Sequence, residues 1–445
     1  MTALQAPLRL NDYDVKTNAA AGSHDPSMMF DPISGRYYSY STDVYGPGLG
    51  VDDFVGIPVR SSSDLVRFTY ETGTALSEAA VKEGRQNGRF PETRNFWAPY
   101  CEYARGEYRL YYSATKAFGS SESRIWLAVS QSPTGPFENR GVVADTWGTD
   151  DTYPNAIDPH IIWEGERCWL VYGSFFGGIY IKALDPATGL SLDGSPKSLG
   201  KCISRKAPKP ILDGPEGAAV IYVPETGYYY LFQSYGWLGN TYDIRVGRSK
   251  CVTGPYVDRK GRNMVEQALG EKLAGSYCFH AAAPSAGDHK PGWEWGGLRG
   301  PGHGVPFYDP KRKAYFFVHH VRDGASVNAT RDPFEDRLSF MLHYMMVRPM
   351  FFLADGWPVL SPEPFAGQSL EIPQTSPGGR WEMIFFENTD NEQKHSQYIQ
   401  LTSDSPYLAN GRLHTCWDLE NGGNVLAVTG VDENGNAYWG KRTEE

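Results

Sequence analysis

Three carboxylates in this chain stand at like positions, and hydrolytic chemistry can be built from them. Asp25 opens DPSMMF, Asp158 opens DPHIIW and Glu216 opens EGAAVIYV. Each leads a short apolar segment. Carboxylates gathered in one apolar-walled funnel repel one another and raise each other's proton affinity. One can then stay protonated while another is ionised at neutral pH. Glycoside hydrolysis asks for that pair, an acid for the leaving oxygen and a base for water. Most Asp-Pro pairs only start turns, and the chain has six of them, at Asp25, Asp31, Asp158, Asp185, Asp309 and Asp332. Asp31 and Asp309 sit within hairpin turns and belong to that ordinary class. Asp25 and Asp158 precede a strand instead, and Glu216 has no turn to explain it.

The elements that must bring these residues together repeat five times. The copies are His24 to Thr42, Trp97 to Thr115, Ile157 to Phe175, Pro215 to Gly236 and Gly302 to Val321. Each has a small or polar head, a short apolar strand, a Gly- or Pro-containing turn and an aromatic-rich strand. Third strands follow three of them: RIWLAVSQS, GIYIKAL and DIRVGRS. Five repeats of a small antiparallel sheet predict an all-β fold, a five-bladed β-propeller over residues 1–365. A two-sheet sandwich would not give the same unit five times. In a propeller the head of every first strand reaches the same end of the central channel. The heads are Asp25, Ala98, Asp158, Glu216 and the pair Gly302-His303. The copies begin about 60 to 90 residues apart, more than the roughly 40–50 of common propeller repeats. The excess is read as loop, at 46–95 and 259–299. Five further short strands (RWEMIFFEN, SQYIQLTS, GRLHTCWDL, NVLAVTG and NAYWGKR) predict a small C-terminal β-barrel or sandwich over residues 366–445.

Composition agrees. There are 28 Tyr, 21 Phe and 12 Trp among 49 Gly and 31 Pro, as short strands between many turns require. The net charge of −10, without a basic block, makes the chain a poor partner for nucleic acid. No apolar run approaches the roughly 18 residues needed to span a bilayer. The six cysteines are scattered with no Cys-x-x-Cys spacing, so they read as free thiols. The first residues, MTALQAPLRLNDYD, lack the pattern of a secretory signal. As the sequence stands the expectation is cytoplasmic; with a signal removed it is secreted.

Eight blocks carry a resemblance: SHDPSMMF, NFWAPYCEY, YYSATKAFGS, YPNAIDPHIIW, LVYGSFFGGIYIKAL, PEGAAVIY, the run from YYYLFQSYG to VDRKG, and GPGHG. In this order, over nearly the whole chain, the sequence resembles the family 43 glycoside hydrolases, and among them the two-domain endo-α-1,5-L-arabinanases. The resemblance implies that Asp25 is the general base, Glu216 the general acid, and Asp158 the group that raises and orients the acid. It implies inversion of configuration, which needs a gap of roughly 6.5–9.5 Å between acid and base. It implies a calcium ion near His303, where family members carry Asn next and this chain carries Gly304. It also implies sugar contacts at Trp97, Phe118, Asn155 and Ser174. His24 either holds Asp25 in place or is structural, and His319 and His320, in mid-strand, are read as structural. Trp237 and Tyr235 replace a longer segment and would alter the subsites.

The expected substrate is therefore arabinan or arabino-oligosaccharide, cut by a monomeric enzyme. An exo-acting arabinofuranosidase or β-xylosidase is the alternative within the family. A non-catalytic glycan-binding propeller is the alternative outside catalysis; three retained carboxylates speak against it, since binding alone favours neutral donors.

Overall fold

The computed structural model describes residues 14–42, 56–86, 96–206, 212–266, 268–279, 297–324 and 343–444. Their order is almost entirely strand; the two described helices are α1 (Glu78–Gln86) and α2 (Pro406–Ala409).

Four sheets have four strands each, laid down in sequence order. The first holds β1 (His24–Phe30), β2 (Tyr37–Thr42), β3 (Val59–Ser62) and β4 (Phe68–Thr72). The second holds β5 (Trp97–Ala104), β6 (Glu107–Thr115), β7 (Ser123–Ser130) and β8 (Glu138–Asp145). In the third are β9 (His160–Glu164), β10 (Arg167–Tyr172), β11 (Ile179–Leu184) and β12 (Lys201–Ser204). In the fourth are β13 (Glu216–Val223), β14 (Tyr228–Tyr235), β15 (Asp243–Ser249) and β16 (Glu271–Ala274). Neighbouring strands are antiparallel throughout these four sheets. The fifth sheet is built on β17 (Tyr277–Cys278), β18 (Leu298–Asp309), β19 (Ala314–Asp323), β20 (Tyr344–Phe352) and β21 (Pro358–Leu360). The sixth comprises β22 (Gly379–Phe386), β24 (Gln397–Leu401), β25 (Arg412–Trp417), β26 (Asn424–Val431) and β27 (Ala437–Glu444). Between β22 and β24, the two-residue β23 (Lys394–His395) leaves the sixth sheet and pairs in parallel with β17 of the fifth.

Period two explains why the second strands are so aromatic. In β2, Tyr38 and Tyr40 pack on the second sheet while Tyr37 packs on the fifth. In β14, Tyr229 and Leu231 face the third sheet and Tyr230 and Phe232 face the fifth. Successive side chains of a strand point to opposite faces, so a strand buried on both sides needs large apolar residues at every position. The core is thus a succession of sheet-to-sheet layers. First meets second, second meets third, third meets fourth, fourth meets fifth, and the fifth returns to the first through Phe316 and Val318 against Met28 and Tyr37. The sixth sheet has its own core around Trp381, Val428 and Tyr438. It also shares one with the fourth and fifth sheets through Ile384, Phe386 and Trp439.

Each second and third strand named from sequence is present, and the six cysteines are free. The segments read as loop are not all loop. Residues 46–95 contain β3, β4 and α1, and residues 259–299 contain β16 and β17. Their strands are short and β3 is polar (VRSS), so the apolar alternation that marks a strand in sequence is missing. Residues 46–55, 87–95, 267 and 280–296 of these segments lie outside the described residues, as do 338–342 of the predicted strand run.

One layer carries a titratable strain. Glu102 on β5 accepts a 2.7 Å hydrogen bond from Trp163 Nε1 on β9, but its other oxygen is buried with no partner. Burial pushes its pKa up to about 7. A carboxyl whose folded pKa is raised contributes most below the unfolded value, and that contribution is lost as pH rises through the folded one. Glu102→Gln is therefore expected to stabilise the protein at pH 8 by on the order of 1 kcal/mol after allowance for partial exposure, seen as a higher melting temperature. The gain should vanish near pH 4, and thermal scans across this range check it.

Candidate active site

The head of each first strand is built in the same strained way. Asp25, Ala98, Asp158 and His303 have positive φ of 47°, 43°, 61° and 44°, and Gly217 takes the fifth place with φ 60°. Four of the five first strands shift register here. A left-handed non-glycine residue costs on the order of 1 kcal/mol or more, so the surroundings must hold each one. They do so from the neighbouring sheet. Thr42 Oγ1, at the end of β2, accepts the Ala98 N–H at 2.8 Å. Ser113 Oγ of β6 accepts the Asp158 N–H at 3.1 Å. Asp158 Oδ2 accepts the Gly217 N–H at 3.0 Å. Ser234 Oγ of β14 accepts the His303 N–H at 3.0 Å. His320 Nδ1 of β19 accepts the Asp25 N–H at 3.1 Å and returns to the first sheet. Glycine is required at 217 for a second reason: a Cβ there would lie 2.9 Å from His303 Cα.

This register brings the three carboxylates and His303 to one place. His303 Nδ1 lies 3.1 Å from Asp25 Oδ1. Glu216 occupies the position before the left-handed residue, one step earlier than Asp25 and Asp158 in the repeat. Asp25 is further held by Thr42 Oγ1, which donates to its Oδ2 at 2.7 Å, and by His24 Nδ1, 2.7 Å from the same oxygen. Ser174 Oγ donates to Glu216 Oε2 at 2.8 Å.

The electrostatics separate the acids. Burial works to raise Asp25, but the imidazoles of His24, His303 and His320 outweigh it and hold its pKa well below the usual carboxylate range. Burial pushes Asp158 up to about 7; Glu216 and Asp25 add to the rise, and His303 and the Gly217 N–H oppose it. Glu216 is raised as well, by burial and the Asp25 charge, against hydrogen bonds from Tyr242 and Ser174 and the His303 imidazole. Burial works to lower His303, and the facing Asp25, Asp158 and Glu216 raise it on balance. One site thus has a carboxyl biased to be ionised and another biased to be protonated.

Of the remaining sequence-derived residues, Trp97 and Phe118 meet at 6.2 Å between ring centroids, and Phe118 meets Trp237 at 6.1 Å. Phe118 is half exposed. Asn155 is buried three residues before Asp158, with Oδ1 unpartnered. Tyr235 is instead fully buried, so it is core. Gly304 lies against Phe317, whose ring would be 2.1 Å from a Cβ there; no side chain fits at that place. His319 is structural as read, bonded to Arg348 at 2.9 Å. The reading of His320 needs correction, because its ring caps the Asp25 N–H and stacks on Tyr242. Mid-strand position alone did not reveal this, since a bulge in β18 beside it shifts the register. Thr42, Ser113, Ser234 and Tyr242 were also missed. The first three share a signal: each is a hydroxyl near the end of an aromatic second strand.

Residues 19–358 match the model of glycosyl hydrolases family 43. The chain is 29% identical to the extracellular endo-alpha-(1->5)-L-arabinanase of Thermotoga petrophila, over 95% of this chain and 94% of that one. It superposes on the crystal structure of the endo-1,5-alpha-L-arabinanase of that organism with a TM-score of 0.75 at 27% identity, covering 95% of this chain and 98% of the other. The Cellvibrio cellulosa alpha-L-arabinanase solved with arabinohexaose gives a TM-score of 0.57 at 26% identity, over 76% of this chain and 95% of that one.

Thr42 is the joint between the first two sheets and Asp25. Thr42→Val removes its bond to Asp25 and the acceptor for Ala98 N–H at nearly constant volume. The expected loss is about 1–3 kcal/mol of stability, measured as a shift in the urea midpoint at pH 7.

Proposed function

Because the chain belongs to glycosyl hydrolases family 43, we propose that it cleaves α-1,5-L-arabinofuranosidic bonds of arabinan and arabino-oligosaccharides, within the chain and with inversion. The five sheets are read as blades of a β-propeller over residues 1–365, and residues 366–445 as a C-terminal β domain. The cyclic order of the layers supports the propeller. The observation that carries the activity is the pairing of a depressed Asp25 with a raised Glu216 around one imidazole.

In this reading Asp25, ionised, takes a proton from water as the water attacks the anomeric carbon. Glu216, protonated, gives its proton to the departing sugar oxygen. A single displacement breaks the glycosidic bond as the new one forms, and the configuration inverts. Asp158 accepts the Gly217 N–H beside the acid and so orients the segment that carries Glu216. Trp97 and Phe118 offer apolar faces to sugar rings, Ser174 orients Glu216, Asn155 supplies an amide for a hydroxyl, and His24 steadies Asp25.

A calcium ion at His303 belongs to the same proposal. Three carboxylates face this one imidazole, so the pit offers oxygen ligands of the kind a hard cation takes. Asp25 Oδ1 lies 3.1 Å from the His303 ring, and water would supply most of the other oxygen ligands calcium prefers. When bound, the ion would reduce the repulsion among the acids.

Digestion of debranched arabinan should give a ladder of oligomers with NMR-detected inversion; release of monosaccharide alone would make the enzyme exo-acting. Glu216→Gln and Asp25→Asn should each lose at least about 10²-fold in kcat on arabinan. An aryl arabinofuranoside with a good leaving group should restore much of the Glu216→Gln rate and none of the Asp25→Asn rate. Chelation should lower both the melting temperature and the activity, with calcium restoring them, and His303→Ala should abolish the response.

A further inference from the structure

We propose that Tyr153 is a sugar-stacking subsite beyond the scissile bond, on the side of the departing chain. Among the exposed large hydrophobic residues, Tyr153 is 40% exposed. Other exposed tyrosines already have ring partners: Tyr222 meets Tyr229 at 4.7 Å, Tyr308 meets Tyr315 at 5.0 Å, and Arg380 covers Tyr398 at 4.4 Å. Phe118 has Trp97 and Trp237. Tyr153 has no aromatic or cationic partner among the described residues, so its face is open to a sugar ring.

The backbone beneath that ring is fixed. Tyr153 N–H donates to Asp150 O at 3.1 Å, and Tyr153 O accepts from Gly177 N–H at 3.0 Å. The approach at Gly177 is so close that a Cβ would lie 2.6 Å from the Tyr153 carbonyl carbon. Ser121 Oγ bonds Asp151 Oδ1 at 3.0 Å and ties this loop to the one bearing Phe118. A backbone held in place leaves only the ring's own rotation to be lost when a sugar stacks on it.

Its side of the site follows from the chain. Gly177 lies three residues beyond Ser174, whose hydroxyl holds Glu216, and Phe175 N–H donates to Pro215 O at 2.8 Å. The Tyr153 backbone is thus bonded to the segment that carries Ser174 and that meets Pro215, the residue before Glu216. The side rests on the reading above of Glu216 as the acid, because the acid lies beside the leaving oxygen and so on the departing chain's side. Asn155, two residues further on, leads back towards Asp158. The ligand is an arabinofuranose unit of a longer chain, taken by its apolar face; a short oligomer would not reach it.

The test compares chain lengths. Tyr153→Ala should raise KM on debranched arabinan roughly 2- to 10-fold, as one stacking contact implies, with kcat and the KM for the shortest cleaved oligomer unchanged. Tyr153→Phe keeps the face and should behave as the parent, and Tyr222→Ala is the exposed control. Equal kinetics of Tyr153→Ala and parent on the polymer would overturn the subsite, and so would an equal loss on both chain lengths. Calorimetry with arabinohexaose in the Glu216→Gln background separates this from the proposed activity. If the parent cuts no arabinan but Tyr153→Ala still weakens arabinohexaose binding, the acid assignment fails and the subsite stands. Unchanged binding there overturns the subsite whatever the parent cleaves.

Discussion

The structure depends on a hydrogen bond made five times, from the N–H of a left-handed residue at the head of one sheet to an acceptor supplied by its neighbour. The acceptors differ in kind: hydroxyls of Thr42, Ser113 and Ser234, the carboxylate of Asp158, and the ring nitrogen of His320. Their role is common. At the four non-glycine heads the bond offsets a backbone conformation that an L-residue would otherwise avoid, and all five join one sheet to the next. The series starts and ends on the first sheet, so no head can relax without disturbing a neighbour.

Function uses the same bonds. Thr42 serves the Ala98 backbone and the Asp25 carboxylate with one oxygen, and Asp158 serves the Gly217 backbone beside Glu216. A residue that keeps the sheets together also sets a proton affinity. Asp25 gains three imidazoles in its surroundings, whereas Glu216 gains only one, His303, with the Asp25 charge and the hydroxyls of Tyr242 and Ser174. Burial acts in the same direction on both. The partners decide which is the stronger acid, and that asymmetry allows one to take a proton and the other to give one.

The sixth sheet is attached with comparable care. Lys441 on β27 reaches Glu363, Asp418 and Glu420 at 2.8, 2.9 and 2.5 Å, and Glu363 follows β21 of the fifth sheet. With β23 paired to β17 and Trp439 packed on Tyr277, this surface combines backbone, charge and apolar contact.

The sequence by itself determined the five hairpins, the carboxylate-bearing heads and the C-terminal strands. Period-two apolar patterning and turn residues are local properties, written where they act. The resemblance of its blocks to the family implied roles for Asp25, Asp158 and Glu216. Tertiary structure alone decided that His320 meets Asp25, 295 residues away in the chain, and that Tyr242 lies against Glu216 and His320. It also decided that polar β3 and half-exposed β4 complete the first sheet, and that Gly304 has no room for a side chain. These outcomes turn on bulges that displace register by a residue and on contacts between distant strands. A one-residue slip sends a side chain to the opposite face, and no spacing within a single strand encodes what the neighbouring sheet will place there.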